Sequence, residues 1–462
     1  AARRRSAGLM QPRPSMNSNQ AGPQTLIRSK HPWIEPDVVA QALAQEHGEA
    51  GLIWLDGDGS DLGRWLTLAA DPLEQRCCRG LPGEVGSSNP FETLRSLDPG
   101  HWTGWLSYDA AAWLEPTNTW RSDAMASLWI GRHDPVLRFD LQQREVWIEG
   151  LDAKRHAAME RWILGLSERF NQDPPARPNP KPLHTGWVHH SDRTAYAKGV
   201  EHIRELIAMG DLFQANLTSC TSTTLQESIN NLELFRRLRR ACPAPFAGLV
   251  IANGDATGEA LLSTSPERFM EVLPNGAIQT RPIKGTRPRD SDPQRDTDHA
   301  AALVCSEKDR AENVMIVDLL RNDLGRVCVP GSVDVPQLVH LESYARVHHL
   351  TSVVNGQLRD GLNWVDLLEA SWPGGSISGA PKLRACQRLQ ELEPKGRGPY
   401  CGSLLTLNWD GRFDSNILIR TVLRKNNQLR VHAGCGIVAD SDPQAEADEL
   451  DWKLLPLLEA LK

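Results

Sequence analysis

Residues 260–289 read ALLSTSPERFMEVLPNGAIQTRPIKGTRPR, and the rest of the chain is best understood outward from them. The first ten form an apolar strand that runs into a turn at Pro266. Residues 269–273 and 277–281 then pair as a hairpin across Pro274-Asn-Gly276, because proline fixes φ and glycine takes positive φ without strain. Glu267 therefore lies within one hairpin of Lys284, so a carboxyl group and an amine are delivered to one place. An ordinary ion pair of glutamate with lysine or arginine leaves the same pattern.

Lys284 stands next to Gly285, between Pro282 and Pro288, among Arg281, Arg287 and Arg289. Two prolines stiffen the segment, and the arginines cannot lose their charge, so their field favours the neutral, nucleophilic amine. Lowering a lysine from about 10.4 to about 7.5 takes roughly 4 kcal/mol, which like charges and partial burial can supply. A solvated basic loop, or a phosphate or nucleic-acid contact, has the same composition.

A 462-residue chain can bury a large core, and length alone suggests about three domains. With 40% hydrophobic and 24% charged residues it reads as globular, and a net charge of −7 argues against a nucleic-acid protein. Nine scattered cysteines without a Cys-x-x-Cys pair read as reduced thiols of a cytoplasmic protein, with no zinc site. No apolar run reaches the roughly 20 residues of a membrane helix.

Residues 1–33 contain no acidic side chain and are expected to be a disordered tail, with a composition also seen in organelle transit peptides. Residues 34–172 form a strand-rich N-terminal region, with helices expected at 36–47 and 152–170. Residues 173–190, with five prolines by 182, are expected to be a linker, and 191–462 a second region. That region opens with a helix capped by Ser191 or Asp192. A strand from 211 follows, with Gln214 and Asn216 on one face. Ser306 caps a helix through 323 on which Asp309 and Glu312 share a face. Asp442 caps another, begun by Pro443, on which Glu446 and Glu449 do the same. Two helices each offering two carboxylates can hold a hard divalent cation, or simply be solvated faces. Pro373-Gly-Gly-Ser-Ile-Ser-Gly-Ala-Pro-Lys382 precedes a helix whose free N–H groups make an anion site. It is not a P-loop, since no Ser or Thr follows Lys382. Arg420 is expected on an apolar strand over 416–422, and it and Tyr400 can each contact a carboxylate.

These segments together resemble a known family. Phe213-Gln-Ala-Asn-Leu217, Ser265-Pro-Glu-Arg-Phe269, Pro282-Ile-Lys-Gly-Thr286, Ala311-Glu-Asn-Val-Met-Ile-Val-Asp318, Gly374-Gly-Ser-Ile-Ser-Gly-Ala-Pro-Lys382, Ile419-Arg-Thr421, and Ala433-Gly-Cys-Gly-Ile-Val-Ala-Asp440 with Ala445-Glu-Ala-Asp-Glu449 are similar to motifs of the chorismate-utilising enzymes. That family includes anthranilate synthase component I, aminodeoxychorismate synthase component I and isochorismate synthase. The resemblance covers the second half firmly and the first, an anthranilate synthase component I-like region, more loosely. It implies an α+β fold in which two large antiparallel sheets pack as a β-sandwich with helices outside.

Two positions separate the members. Lys284 stands where the aminodeoxychorismate-forming enzymes carry lysine and anthranilate synthases alanine, and Gln214 stands where isochorismate synthases carry a water-activating lysine. The resemblance thus implies amination of chorismate to 4-amino-4-deoxychorismate, ahead of anthranilate formation, isochorismate formation or a noncatalytic metabolite-binding role. By the same carry-over Lys284 is the nucleophile and Glu267 the general acid. Glu312 and Glu449 hold Mg²⁺, with Glu446 near the metal and Asp309, where many relatives have glutamate, beside it. Tyr400, Arg420 and the Gly436 backbone bind the enolpyruvyl carboxylate, while Ser376, His349, Thr286 and Gln214 surround the ring. No glutaminase-like cysteine motif is present, so ammonia is implied to come from a separate glutamine amidotransferase subunit. Relatives that bind tryptophan carry a Leu-Leu-Glu-Ser-like segment; here it reads Trp54-Leu-Asp-Gly57, without the serine, so the resemblance does not extend to tryptophan binding.

Overall fold

Strand Phe246–Ile251 shows how the core is built: Leu249 and Ile251 face one apolar cluster, while Val250 between them faces another. The same period of two runs through the neighbouring strand Glu259–Ser265, where Ala260 and Leu262 join the first cluster and Leu261 the second. A sheet apolar on both faces has to be covered on both. In the computed structural model, which describes residues 25–170, 183–184, 186–226, 229–344 and 347–462, two sheets of twelve and ten strands do this for each other.

The twelve-stranded sheet runs, in spatial order, through Ile27–His31, Glu145–Gly150, Val136–Asp140, Trp65–Ala69, Ile53–Asp56, Phe246–Ile251, Glu259–Ser265, Thr421–Lys425, Gln428–Ile437, Gln214–Thr224 and Gly379–Ala380, with Val188–His189 added beside Gln214–Thr224. The ten-stranded sheet runs Ile283–Pro288, Val347–Gln357, Ala277–Thr280, Arg268–Val272, Phe413–Asn416, Ser403–Leu407, His101–Leu106, Leu128–His133 and Glu74–Cys78, with Asp334–Ser343 paired to Val347–Gln357. Trp102, Trp105 and Trp129 fill the space between the sheets together with Leu261, Leu405 and Leu423. Helices Pro36–His47, Arg193–Ala208, Asn231–Ala241, Lys382–Leu392 and Pro443–Ala460 cover the other face of the larger sheet, and Glu307–Gly325 and Trp364–Ser371 pack against the smaller one. The α+β architecture of two antiparallel sheets with outer helices is as the sequence implied. None of the helices among the described residues is long and apolar enough to cross a membrane.

The division of the chain needs correction. Residues 1–24 lie outside the described residues, but Ile27–His31, expected in a tail reaching to 33, is an edge strand paired along its length with Glu145–Gly150. Cross-strand ion pairs of Arg28 with Glu149 at 2.8 Å and Lys30 with Glu145 at 2.6 Å use the basic residues that made the segment look disordered. Within the expected linker 173–190, residues 173–182 and 185 lie outside the described residues, while Val188–His189 pair with Ser222 and Thr221. Nor do 34–172 and 191–462 separate as packing units. Ile53–Asp56 pairs with Phe246–Ile251, and His101–Leu106 with Ser403–Leu407, so each sheet is built from both halves. In the 54–57 segment Asp56 is already engaged by Arg239 Nε at 2.6 Å, with the guanidinium over the Trp54 ring.

Candidate active site

A cavity of about 570 Å³ opens where strands Ile283–Pro288 and Gln428–Ile437 face helices Glu307–Gly325 and Pro443–Ala460. Every expected site residue lines it except Gln214 and Glu446, which stand directly behind its wall.

Lys284 sits on a bulge. Pairing with the neighbouring strand shifts register between Ile283 and Thr286, and Gly285 takes φ +81° with the Asp309 and Leu303 side chains too close for a Cβ. A bulge re-aims the side chain it carries, here into the cavity. The Lys284 amine donates to the Ser376 carbonyl at 3.2 Å and stands 3.5 Å from Glu312 Oε2. The arginines expected to repel it do not act as a cluster. Arg281 pairs with Glu342, Arg287 with Asp309 at 3.3 Å, and Arg289 with Asp296 at 2.8 Å. Each has its own carboxylate, contributed from another element, so the expected field of like charges is cancelled locally.

Glu267 is buried beside Lys284, and that burial raises its carboxyl to about 7, against the pull of the Ser376 hydroxyl, the Lys284 charge and the Ile283 backbone. It therefore keeps a proton near neutrality, the requirement for a general acid. His349 is pushed down to about 3 by burial and stays neutral, with Nδ1 2.8 Å from the Thr286 hydroxyl. Tyr400 stacks on His432 with ring centroids 5.0 Å apart, and burial holds its hydroxyl well above the usual range, so it remains a donor.

Arg420 does not lie on the expected strand over 416–422. The chain leaves the smaller sheet at Asn416 and enters the larger one at Thr421. Arg420, with φ +50°, occupies the crossing and is pinned through its carbonyl by the Thr264 N–H and hydroxyl, both at 3.0 Å. Its guanidinium lies in the cavity, where desolvation works against its charge and the Cys242 thiol offsets this only in part. A desolvated cation that no carboxylate pairs with among the described residues is prepared for an anionic ligand.

Below Lys284 lies the acidic cluster. Glu312 is buried, which raises its carboxyl above the ordinary range against the pull of Lys284 and Lys308, and Gln214 Nε2 lies 3.4 Å from it. Glu446 accepts from Lys308 and from the Ser441 hydroxyl through Oε1, while its buried Oε2 has no hydrogen-bond partner among the described residues. Glu449 is held below the ordinary range despite desolvation because Lys453 lies 2.7 Å away. Candidate ligand atoms of Cys435, Glu446 and Glu449 lie within 4.8 Å of one another. Burial pushes the Cys435 thiol up to about 12, so it stays protonated and hydrogen-bonds the Glu446 carbonyl. Convergent carboxylates, one with a buried unpartnered oxygen, fit a hard divalent cation rather than a soft one. Gly436 makes the arrangement possible: a Cβ there would stand 2.7 Å from Gln214 Nε2 and 2.9 Å from Glu312 Oε2.

The sequence model of the family described as chorismate binding enzyme matches residues 62–459. The chain belongs to that family. Among relatives of this chorismate-binding enzyme, aminodeoxychorismate synthase component 1 of Salmonella typhimurium is 42% identical, covering 93% of this chain and 97% of the relative. The crystal structure of anthranilate synthase component I from Streptococcus pneumoniae is similar with a TM-score of 0.72 at 28% identity, over 92% of this chain and 98% of that one. The menaquinone-specific isochorismate synthase from Escherichia coli shares the fold, with a TM-score of 0.70 at 18% identity over 95% of this chain and 94% of that one.

One expectation for this chorismate-binding enzyme changes with the geometry. Lys382 does not reach the cavity; it is locked to Asp323 at 2.6 Å and to the Ser371 carbonyl, so the 373–382 segment contributes Ser376 and Ile377 instead of an anion site at the helix start. The sequence reading also missed the lysines. Lys308 precedes Glu312 by four residues and Lys453 follows Glu449 by four, so extending the shared-face rule used for the carboxylates at i,i+3 to i,i+4 would have found both. His432 alternates with Gly434 and Gly436 along one strand and was detectable by the period of two.

Proposed function

We propose that this enzyme aminates chorismate to 4-amino-4-deoxychorismate, acting in the cytoplasm with ammonia from a separate glutamine amidotransferase subunit, in the branch leading to 4-aminobenzoate and folate. The observation that carries the reading is the pairing of the Lys284 amine, aimed into the cavity, with a buried Glu267 that keeps its proton near pH 7. Lys284 forms a C–N bond to C2 of the ring as the C4 hydroxyl departs, and Glu267 gives that hydroxyl the proton with which it leaves as water. Ammonia then bonds at C4 and the electron pair of the C2–N bond returns to Lys284, so nitrogen ends at C4 and the lysine is regenerated. Arg420 and Tyr400 take the enolpyruvyl carboxylate, and His349, Ser376, Thr286 and Gln214 border the ring.

Glu312 and Glu449 would hold Mg²⁺, with Glu446 and Asp309 beside it; bound there, it would neutralise the ring carboxylate and draw electron density from the ring. Lys284 supports this reading over anthranilate formation because a direct attack of ammonia at C2 needs no amine at that position.

The test is product analysis of the purified chain with chorismate, Mg²⁺ and an ammonium salt at mildly alkaline pH. A product that becomes 4-aminobenzoate only after an aminodeoxychorismate lyase is added is expected. Fluorescent anthranilate would refute the assignment.

A further inference from the structure

Each carboxylate of the acidic cluster comes with a lysine. Lys453 holds Glu449 at 2.7 Å, Lys284 stands 3.5 Å from Glu312, and Lys308 binds Glu446 while its amine lies 4.0 Å from the other oxygen of Glu312. Formally the three pairs balance. Two of the lysines are fixed by further bonds, Lys453 to the Gly434 carbonyl at 2.8 Å and Lys284 to the Ser376 carbonyl at 3.2 Å. Lys308 is different: among the described residues its amine binds carboxylates alone, and its side chain is 37% exposed, against 2% for the Glu446 it binds. It also spans the two helices that carry the carboxylates, from Glu307–Gly325 to Pro443–Ala460. Beneath it Glu446 keeps its second oxygen buried and without a hydrogen-bond partner among the described residues, a polar atom that an incoming donor or cation can satisfy.

We propose that Lys308 is a resident counter-cation, which holds Glu312 and Glu446 together while the site lacks a metal and is displaced toward solvent when a divalent cation enters. The inference rests on the reading that this cluster takes such a cation. Lysine and metal then compete for the same carboxylate oxygens, so Lys308 lowers the affinity for the cation while keeping the carboxylates from repelling one another in its absence. A lysine that merely braced the two helices would have the opposite influence, since its loss would loosen the ligands and weaken metal binding.

The test titrates the full chain with Mn²⁺ near neutral pH, following free Mn²⁺ by electron paramagnetic resonance, with thermal melts in parallel. Lys308→Met is expected to bind Mn²⁺ at least tenfold more tightly than the unsubstituted chain, to melt at lower temperature without metal, and to recover when saturated. Lys308→Arg, which keeps the charge, is expected to bind like the unsubstituted chain. Where the methionine variant does not fold, Lys308→Gln carries the same expectation. Unchanged or weaker binding by the variant, with one Mn²⁺ still taken up by the unsubstituted chain, overturns the role of Lys308 and leaves the cation site standing. Free Mn²⁺ throughout in every variant overturns both.

Discussion

Replacing Glu267 by glutamine removes a proton-binding group without removing its shape, and the structure sets the size and sign of the result. Burial moves this carboxyl from an ordinary 4.5 to about 7. In the unfolded chain it ionises near the ordinary value, so between the two the folded state holds a proton that the unfolded state has released. Stability is therefore lost as pH rises through that window, and none is lost below it, where both states are protonated. At about 1.4 kcal/mol for each pH unit of the difference, the full cost is about 3 kcal/mol, of which some 2–3 kcal/mol falls between about pH 5 and about pH 8. Glutamine does not titrate. Glu267→Gln should gain about that much on the unsubstituted chain across the same range, a gain read as the change in the gap between their urea-unfolding midpoints. A constant offset from altered hydrogen bonds to Ser376 or Ile283 does not affect the slope. A gap that stays flat with pH would show that Glu267 titrates like an exposed carboxylate, and the argument for it as the proton donor would fall with it. The same variant should lose turnover at every pH.

Two further substitutions probe the walls of the cavity. Gly436→Ala places a methyl group 2.7 Å from Gln214 Nε2 and 2.9 Å from Glu312 Oε2. Overpacking of this kind costs about 1–3 kcal/mol, and the displaced carboxylate should lower kcat/KM on the order of 100-fold, with weaker Mn²⁺ binding in the same titration. Arg420→Gln removes a desolvated cation that has no carboxylate partner among the described residues, and loss of a charge-assisted hydrogen bond worth about 1.5–3 kcal/mol should raise KM for chorismate by roughly 10- to 100-fold. A fall in kcat at unchanged KM would show that Arg420 serves the reaction and not the binding.

What the sequence revealed was mostly local. Ser306 and Asp442 cap their helices through side-chain bonds to N–H groups two or three residues away, and the hairpin across Pro274-Asn-Gly276 closes within a dozen residues. Neither needs distant information. His101–Leu106 went unassigned because it is buried along its whole length and shows no alternation of apolar and polar residues. The partners of Arg281, Arg287 and Arg289 come from other elements, so the charge that quenches the basic segment is invisible in that segment itself. Arg420 was found by its motif and misplaced by its neighbours, since an apolar run continues on both sides of a crossing between sheets. The site residues were recognisable from the resemblance, but the lysines that neutralise the acidic cluster follow from side-chain reach between helices.

The interleaving of strands bears on how such a chain can fold. Ala215 pairs with Ile437, Ile53 with Val250 and Leu106 with Ser403, so local hairpins alone cannot complete either sheet from one contiguous part of the sequence. Closing long loops before their contacts are rewarded slows folding and leaves strand edges open meanwhile. The strand bearing Gly436 stands between Thr421–Lys425 and Gln214–Thr224, so Gln214–Thr224 cannot join the larger sheet until residues 428–437 are in place, some two hundred positions further along the chain. A chain stopped short of that strand would forfeit one end of the larger sheet and not merely the acidic end of the cavity, exposing the edges of Thr421–Lys425 and Gln214–Thr224 as templates for aggregation.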